Sequence, residues 1–471
     1  MDTLQQVKAS AQALSRMLSM QQQSYDLLNR YYEGEQNLRL LGLAVPPILR
    51  KFTVLVNWPR IVADARVDRL SLTGFRVGNN QRLSDMAWNL WKSSGLVEDE
   101  SATLDFEIFG RSFKIVSLDE NGNTIIDTVS PDDVAVHRDP VSGELDCAYR
   151  QVRDPDSQSN IPVLRLFWTR TDEYSFDGAW NLTGHSPNKA GMVPVIPAYR
   201  NWRSAVPRYQ TWPRTQGVSA IKDVIAVTDA AARDLTNAQV AQETLAVPQR
   251  GVIGASQGDF VDKQGKPLPI WSSYFSSVWG IQNPNAKTFQ FSSADMSNFQ
   301  TMLETYARQA SSVSGLPPNY FGLAADDAAS ADAIRSREAK LVKSIERDQR
   351  ALGDQARNVM RVAVAINGGD PRSMDSCQAL WLDAATPTVA QQADAVSKLY
   401  ATTDGLGHPL ISRETAWEQL GWSQEQIERE KTRLAEQGEL DDMRIMKPIT
   451  SAEALDAGDN GGADTPADSG Q

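Results

Sequence analysis

A nucleophile motif of the hydrolase type, GASQG, occurs at Gly254–Gly258 of this 471-residue chain. In α/β hydrolases this pattern forms a sharp strand-to-helix turn that exposes the central serine beneath an oxyanion hole. A helix is not favoured after Ser256, because Asp259–Pro269 contains a glycine and two prolines. His408 can be nominated as the base, but nothing in the sequence places it near Ser256. The sequence therefore favours a protein that is not an enzyme, with a serine hydrolase using Ser256 as the alternative.

Other motifs that could carry chemistry lack their partner sequences. His137–Asp139 has the letters of a kinase catalytic loop, but Pro140 follows it and no Asp-Phe-Gly sequence accompanies it. Ser219–Lys222 imitates a penicillin-binding signature without its partner motifs. No phosphate-binding Gly-x-x-x-x-Gly-Lys-Ser/Thr sequence is present, and no isolated acidic cluster suggests a two-metal nuclease. We therefore expect neither ATP hydrolysis nor metal-dependent cleavage.

Histidine and cysteine are scarce and are separated from one another in the sequence. They are His137, His185, His408, Cys147 and Cys377. Because their spacing is not that of a structural zinc site, we expect no metal and no cofactor. So few cysteines indicate a reducing compartment without a disulfide framework. The polar segment Met1–Arg16 and the lack of an apolar run of ~20 residues predict no signal peptide and no membrane span.

The charge balance is acidic, with 47 basic and 59 acidic side chains and a formal net charge of −12. A protein that grips duplex DNA needs a basic surface, because its affinity comes from neutralising phosphates. The acidic balance instead suits a surface past which DNA slides. Basic clusters at Arg200–Arg214 and Arg335–Lys343 have two interpretations. They are contacts to DNA, or they are solvated helix faces and salt bridges between subunits.

Apolar residues at steps of three and four predict a helix over residues 294–315. Its apolar side contains Met296, Phe299, Met302, Leu303, Tyr306, Ala310 and Val313. Its polar side contains Ser297, Thr301, Glu304, Arg308 and Ser312. Glu304 and Arg308 have the spacing of an ion pair on a helix. Gly315–Pro318 predicts the end of the helix, because glycine suits a C-cap and proline cannot continue the hydrogen bonds.

A second helix is predicted over residues 331–366, after a polar loop that ends in Ser330, a suitable N-cap. Its apolar positions recur at steps of four and seven: Ile334, Leu341, Ile345, Leu352, Ala356, Val359, Ala363 and Ile366. The other faces are rich in charged residues. Such a helix, roughly 50 Å long, is interpreted as a spoke that packs along one side and meets other protein or water elsewhere. The alternative is a coiled coil or a bundle strut.

In the rest of the chain, the spacing of the apolar residues changes from one segment to the next. Helices are predicted over 2–34, 59–70, 83–108 and 218–247, and strands over 113–116, 124–127, 163–168 and 173–176. Asn121–Gly122 marks a hairpin, and Pro140–Gly143 marks another turn. Residues 187–213 are a proline-rich connector, and 248–293 are a compact insertion of short strands and turns. These elements predict an α+β chain of two to four units, each of ~100–200 residues.

Short motifs in a fixed order resemble the tailed-phage portal proteins of the siphovirus type, the head–tail connector family. In the first half they are Tyr31–Gly34, Asn57–Val62, Arg69–Leu70, Gly74–Phe75, Ser130–Asp132 and Asp139–Pro140. In the second half they are Gly315–Pro318, Gly322, Ala329–Ala331, Trp381–Asp383, Ser412–Thr415 and Leu420–Gly421. The resemblance spans about residues 25 to 430, and it lies in the order and spacing of the motifs.

This resemblance implies a portal-type fold with an α/β wing, a two-helix stem, a small β-rich clip, a long spoke helix and a helical C-terminal crown. The implied boundaries are 1–213 for the wing and connector, 214–247 for stem helix 1, 248–293 for the clip and 294–315 for stem helix 2. They continue with 316–330 for the tunnel loop, 331–404 for the long wing helix and the return to the wing, 405–440 for the crown and 441–471 for a disordered acidic tail.

The resemblance also implies a function, namely a non-enzymatic ring that forms the DNA channel at one capsid vertex. A homododecamer would serve genome packaging by terminase, head–tail joining and DNA ejection. Its implied partners are the terminase large subunit, the major capsid and scaffold proteins, a neck adaptor, and double-stranded DNA that passes without sequence specificity. It would assemble in the bacterial cytoplasm and reside in the virion, away from membranes. Another head-morphogenesis or shell component is the alternative within this class.

Three sets of residues are implied sites. The DNA channel and tunnel loop would present Ser297, Thr301, Glu304, Arg308, Asn319, Asp326 and Asp327. The clip would meet the packaging motor through Asp259, Asp262, Lys263 and Lys266. Oligomer or packing contacts would involve Ile334, Leu341, Ile345 and Leu352.

Overall fold

The computed structural model describes residues 3–36, 54–139, 141–154, 156, 161–202, 217–245, 250–254, 284–285, 287–290, 296–323, 331–385, 389–404 and 408–445. The chain forms two units, Met1–Thr386 and Pro387–Gln471. Helices and strands both build the first unit, in agreement with the predicted α+β class. Within the described ranges, no helix is both long enough and apolar enough to span a membrane.

The first unit alternates helices and strands along the chain. Its first part contains α1 (Thr3–Glu33), α2 (Trp58–Val67), β1 (Leu72–Val77), α3 (Gln81–Ser93), α4 (Ser101–Phe109), β2 (Arg111–Leu118) and β3 (Thr124–Val129). Its middle part contains β4 (Val134–Arg138), β5 (Leu145–Val152), β6 (Leu164–Thr169), β7 (Asp172–Asp177), β8 (Leu182–Pro187) and β9 (Val195–Tyr199). Its last part contains α5 (Ile225–Leu245), β10 (Arg250–Ile253), β11 (Lys287–Gln290), α6 (Ser297–Ser314), α7 (Ala331–Ile366) and β12 (Cys377–Trp381).

The prediction of one helix over residues 83–108 is wrong, because the chain breaks it into α3 and α4. Asn80 caps α3, where its side chain accepts a hydrogen bond from the Leu83 amide at 3.2 Å. Gly95 follows the helix with φ +72°, a conformation that glycine adopts without a steric cost. The apolar pattern continues across this turn, because residues on both sides of it are buried, and periodicity alone therefore did not reveal the break.

The hairpin predicted at Asn121–Gly122 is confirmed, since β2 and β3 pair antiparallel with Leu118 opposite Thr124. The Asp119 carboxylate accepts hydrogen bonds from the amides of Asn121 and Asn123 at 2.8 and 2.7 Å. Strand β9 pairs with the other edge of β2. The proline-rich stretch that was predicted to be a connector therefore contributes a strand to this sheet.

Strands β4 to β8 form an antiparallel sheet in chain order, and α1 packs against β4 and β5. The turn between β7 and β8 contains Trp180, which has a left-handed backbone with φ +66°. Its ring stacks on Tyr149 at a centroid distance of 6.0 Å, and the Arg165 guanidinium lies 4.6 Å from its centroid. These contacts fix the turn against the buried side of the sheet.

Helix α7 has the predicted bounds and is the central helix of the unit. The predicted packing residues Leu341, Ile345 and Leu352 are all buried. Between Glu338 and Arg350 the helix is buried along one side. From Leu352 onward most of its residues are buried or half-buried, because it packs on β2, β9 and β12. There Gln355 is buried, and its amide donates to the carbonyls of Ser112 and Ile196.

Strand β1, which the sequence did not predict, pairs antiparallel with β12. The register runs from Leu72 opposite Trp381 to Val77 opposite Cys377. Phe75 of β1 is buried and meets the Trp91 ring of α3 at a centroid distance of 5.4 Å. The pairing therefore joins an early segment of the unit to its last strand.

Helices α5 and α6 pack against each other, and the antiparallel strands β10 and β11 lie between them in the sequence. Helix α5 begins at Ile225, whereas the prediction began it at Val218. The pairing of β10 and β11 agrees with the β-rich insertion predicted over 248–293. Most of that insertion lies outside the described residues.

The second unit contains α8 (Val389–Ala401), α9 (Arg413–Gln419) and α10 (Gln424–Ile445). Ser412 caps α9, where its side chain accepts from the Thr415 amide. The indole rings of Trp417 and Trp422 stack at a centroid distance of 5.7 Å across the turn between α9 and α10. Helix α10 continues to Ile445, past the start predicted for the disordered tail.

Candidate functional site: the α5–α6 helix pair and its anchors

Helix α6 has one buried side, which contains Ala307 and Ala310 and packs on α5. Leu303 and Tyr306 are half-buried beside them. The predicted apolar stripe was too broad, because it contains Met296, Met302 and Val313, whose side chains are exposed. Met302 and Val313 lie away from the alanine pair around the helix, and Met296 precedes the first residue of α6.

The polar side of α6 is exposed at Ser297, Thr301 and Arg308. Arg308 Nη2 lies 3.5 Å from Glu304 Oε2, so the predicted ion pair is confirmed. Such exposed pairs contribute only about 0.3–0.5 kcal/mol to stability. The Thr301 hydroxyl donates to the Ser297 carbonyl at 3.1 Å, which occupies its proton within the helix. Glu304 and Arg308 are the charged residues of α6, so this surface carries no net charge.

Helix α6 ends as predicted at Gly315, which has φ +78°. A short 3₁₀ helix, Pro318–Phe321, follows and contains the exposed Asn319. Phe321 is buried, and its ring meets Trp58 edge-on at a centroid distance of 5.7 Å. The chain is thus fixed to α2 within the first residues of the predicted tunnel loop, 316–330.

Arg69 connects the start of that loop with helix α7, which follows it. Its Nη2 donates to Tyr320 Oη at 3.3 Å on one side and to Glu338 Oε1 at 3.0 Å on the other. Its Nη1 donates to the Ala384 carbonyl at 3.0 Å. Lys340 Nζ donates to the carbonyl of Ser312 at 2.9 Å. The end of α6 and the first turns of α7 are therefore held at one place.

A buried cluster of charges lies where α2, α4 and α7 meet. Arg66, Glu107 and Asp348 are at most 2% exposed, and Arg200 is buried beside them. Arg66 Nε donates to Glu107 Oε2 at 2.6 Å, and its Nη2 donates to Asp348 Oδ2. Arg200 Nε lies 3.1 Å from Glu107 Oε2. Among the described residues this cluster contains two guanidinium and two carboxylate groups.

Burial raises the pKa of Asp348 to about 6, and the nearby Glu107 adds to this effect, although Arg66 and Arg200 oppose it. Burial also lowers the pKa of Arg200. Buried charges of this kind require a partner, because removing one leaves the other uncompensated away from water. The cluster therefore fixes the three helices in one arrangement.

The segment that leads into α5 is joined to the same cluster by its backbone. The Ala220 amide donates to the Glu107 carbonyl, and the Arg200 amide donates to the Gly110 carbonyl, both at 2.9 Å. Gly110 has φ +74°, and a Cβ there would lie 2.6 Å from the Val218 carbonyl carbon. Only glycine permits this approach. Further along α5, Asp229 accepts from the Tyr31 hydroxyl at 2.8 Å.

Several predicted site residues lie outside the part of the chain that the structure describes. They are Ser256, Asp259, Asp262, Lys263, Lys266, Asp326 and Asp327, together with the side chain of Ile334. Ser297, Thr301, Glu304 and Arg308 share one side of α6, whereas Asn319 lies beyond its end.

The buried charges were missed by the sequence interpretation. Arg200 was assigned to a basic cluster that contacts DNA, solvent or another subunit, and the structure corrects this, because Arg200 pairs with Glu107 inside the unit. A signal did exist for two of the residues. Asp348 lies three residues after Ile345 and four before Leu352, on the apolar stripe of α7, and Glu107 lies among the apolar residues of α4. A charged residue at such a position indicates a buried partner.

Comparisons with known proteins agree on one family. The profile described as "Phage portal protein, SPP1 Gp6-like" matches residues 15–442. The portal protein of Mycobacterium phage L5 is 31% identical over 421 residues, covering 86% of this chain and 83% of the relative. The portal protein of Mycobacterium phage D29 is 30% identical over 408 residues, covering 83% of this chain and 81% of the relative.

Among solved structures, a chain in the virion of a native gene transfer agent particle is similar, with a TM-score of 0.44 and 13% identity. The similarity covers 80% of this chain and 92% of that one. A chain in the neck of an empty gene transfer agent particle has a TM-score of 0.41 and 15% identity, covering 81% of this chain and 95% of that one.

Proposed function

Because this chain belongs to the SPP1 Gp6-like family of phage portal proteins, we propose that it forms a ring around the DNA channel at one vertex of a phage capsid. The observation that carries the proposal is the family match itself, which extends over residues 15–442 and therefore through both units. Portal proteins are structural components of virions, and the role is accordingly geometric and electrostatic. The family match gives no support to a serine hydrolase.

The ring would be a homododecamer that assembles in the host cytoplasm and remains in the virion. It would bind the terminase large subunit during packaging, the capsid and scaffold proteins at the vertex, and a neck adaptor afterwards. We assign motor contact to the clip, 248–293, through Asp259, Asp262, Lys263 and Lys266. The pairing of β10 with β11 and the packing of α5 against α6 on either side support a protruding insertion.

We assign the polar side of α6 to the channel wall. In a closed ring, each residue of a helix recurs once per subunit and forms a band of identical groups. Its buried side is occupied by α5, and its other side presents hydroxyls and the Glu304–Arg308 pair. Such a wall attracts DNA phosphates weakly, which suits movement of DNA of any sequence.

The tunnel loop, 316–330, would form the narrowest part of the channel and carry Asn319, Asp326 and Asp327. Its support is the fixation of its first residues and of the helix that follows it. Trp58 holds Phe321 on one side, and Arg69 joins Tyr320 to Glu338 across the loop. A loop held in this way keeps its position while DNA passes.

Electron microscopy of the purified full-length protein tests the proposal. We expect rings with a central hole, of one size and with rotational symmetry. A protein that remains monomeric under all assembly conditions, or that forms closed shells without a hole, would contradict the portal assignment. Shells would instead support the alternative of a capsid component.

A further inference from the structure

A β-bulge at the edge of the β4–β8 sheet brings three side chains of different chemistry together. His137 of β4 is opposite Cys147 of β5, whereas the next residue, Arg138, is opposite Leu145. Asp146 is therefore the extra residue of a bulge. Because two residues of the bulged strand then oppose one residue of the partner, the usual alternation of side chains is interrupted locally.

The donor atoms of this group are close enough to share one ion. His137 Nδ1 lies 3.5 Å from Asp146 Oδ2. A histidine nitrogen, an aspartate oxygen and the cysteine sulfur all lie within 4.8 Å of one another. The side chains of His137 and Asp146 are 51% and 59% exposed, while Cys147 is buried behind them. An ion can therefore reach the group from solvent.

The turn next to the bulge is fixed, which keeps the donor atoms in place. The Asp139 amide donates to the Glu144 carbonyl at 2.9 Å. Arg170 Nη2 lies 2.7 Å from Glu144 Oε2, and its Nε donates to the Leu145 carbonyl at 3.1 Å. The guanidinium of Arg138 lies over the Tyr199 ring. Both arginines therefore have partners other than the three donor side chains.

We propose that His137, Asp146 and Cys147 bind a zinc ion, with water at the remaining position. Imidazole nitrogen, carboxylate oxygen and thiolate sulfur are the donors that zinc uses in proteins, and three protein ligands leave one tetrahedral position open. A set that includes sulfur favours zinc over magnesium or calcium, which prefer oxygen ligands. The ion would join the edge strand β4 to β5.

Binding exchanges a proton for the metal at the cysteine. Burial, with a contribution from Asp146, raises the pKa of Cys147 to about 12, so the free thiol is protonated. When zinc binds, the Sγ–H bond breaks, the proton passes to solvent and the sulfur electron pair forms the bond to zinc. Because the thiol must lose its proton, the affinity for zinc is lower than that of a structural site with four ligands. The sequence hid the site, because the bulge that aligns its residues has no sequence signature.

Cobalt titration of the chelator-treated full-length protein tests the proposal, because cobalt reports a thiolate ligand by a charge-transfer band in the near ultraviolet. We expect one cobalt per chain with this band, and zinc should displace it. Asp146→Asn and His137→Gln should weaken binding at least by the roughly tenfold that loss of an outer hydrogen bond costs at zinc sites. Cys147→Ser should remove the band.

Matched controls are available in the same chain. His185 Nε2 lies 3.0 Å from Asp172 Oδ1 on β8 and β7, and His185→Gln should leave cobalt binding unchanged. Cys377→Ser changes the other buried cysteine and should also leave the band intact. The proposal is overturned if the wild type shows no thiolate band, or if the band survives Cys147→Ser. Should that variant fail to fold, unchanged affinity in Asp146→Asn, an exposed position, overturns it equally.

Discussion

Arg66 is the residue whose loss should be felt most strongly, because it contacts Glu107 and Asp348 away from water. Arg66→Met would leave two buried carboxylates with only Arg200 nearby. We expect the free energy of unfolding to fall by about 3–5 kcal/mol, measured by chemical denaturation. The control is Arg60→Met on the same helix, whose pair with Asp64 is half exposed. It should cost less than about 1 kcal/mol. Equal losses in the two variants would contradict the importance of burial.

Asp105 should make stability depend on pH. Burial raises its pKa from 3.8 to about 7, and Asp132 and Asp99 add to the shift. Because the folded pKa is the higher one, the protonated group stabilises the protein fully below 3.8, and this contribution is lost as pH rises through about 7.

Asp105→Asn removes that loss. Near about pH 8.5 the free energy of unfolding of the variant should exceed that of the wild type by up to about 4 kcal/mol. This difference should shrink near about pH 5. Chemical denaturation at the two pH values measures it. Asp127→Asn, at an exposed position of β3, should follow the wild type at both pH values. An advantage of Asp105→Asn that is the same at both pH values would show that the carboxyl does not titrate in this range.

Sequence interpretation identified surface residues better than buried polar ones. The Glu304–Arg308 pair follows from helical spacing alone, since both residues belong to one helix. The partners of Arg66 come from α4 and α7, and no local pattern relates residues so distant in the chain. The same limit applies to His137 and Cys147, which the register of two strands aligns.

At the scale of elements, the join between α4 and the segment leading into α5 depends on Gly110. Gly110→Ala would place a methyl group 2.6 Å from the Val218 backbone, in a left-handed conformation that alanine disfavours. We expect the free energy of unfolding to fall by about 3 kcal/mol or more, because the backbone is strained and the neighbouring segment must move. Thermal unfolding of the purified protein measures it.

The matched control is Gly122→Ala at the β2–β3 turn. Gly122 also has a positive φ, +83°, but no described atom lies within 4 Å of the position that an alanine methyl group would take there. Gly122→Ala should therefore lower the free energy of unfolding by only roughly 1–2 kcal/mol, which is the cost of a left-handed backbone for alanine. If both alanine variants lower the free energy of unfolding by the same amount, the close contact at Gly110 does not contribute to stability.

Elements with strong local signals were predicted well. Helix α7 was predicted at its observed bounds, because its apolar stripe is long and ends at clear signals. The β2–β3 hairpin followed from Asn121–Gly122. Strands β1 and β12 were missed, since each gains its stability from a partner in a remote part of the chain. The break between α3 and α4 was missed because the apolar pattern continues on both sides.

For the whole molecule, the charge of the proposed channel wall, the polar side of α6, is the property to test. Glu304→Lys replaces the acidic partner of Arg308 on an exposed surface, so folding should be nearly unchanged. In a ring it would turn a band of balanced charge into a basic one. We expect purified rings to bind duplex DNA more tightly at low salt, and this gain should disappear as salt rises through counterion release.

The control for that experiment is Glu120→Lys, which makes the same change of charge at an exposed position of the β2–β3 turn. It should alter DNA binding by rings less than Glu304→Lys does. Packaging yield in infected cells is the second measurement, and it should fall only for Glu304→Lys. If the two variants bind DNA equally, the polar side of α6 does not face the channel.

The pairing of β1 with β12 also limits when the first unit can finish folding during synthesis. Leu72 leaves the ribosome early, but its partner Trp381 follows only when most of the chain has been made. Until then, the backbone of β1 has no strand beside it, and closing so long a separation in the chain is slow. A nascent or prematurely terminated chain therefore lacks a finished first unit. We therefore expect that a chain that stops before Trp381 does not join an assembly, because it cannot form this strand pair.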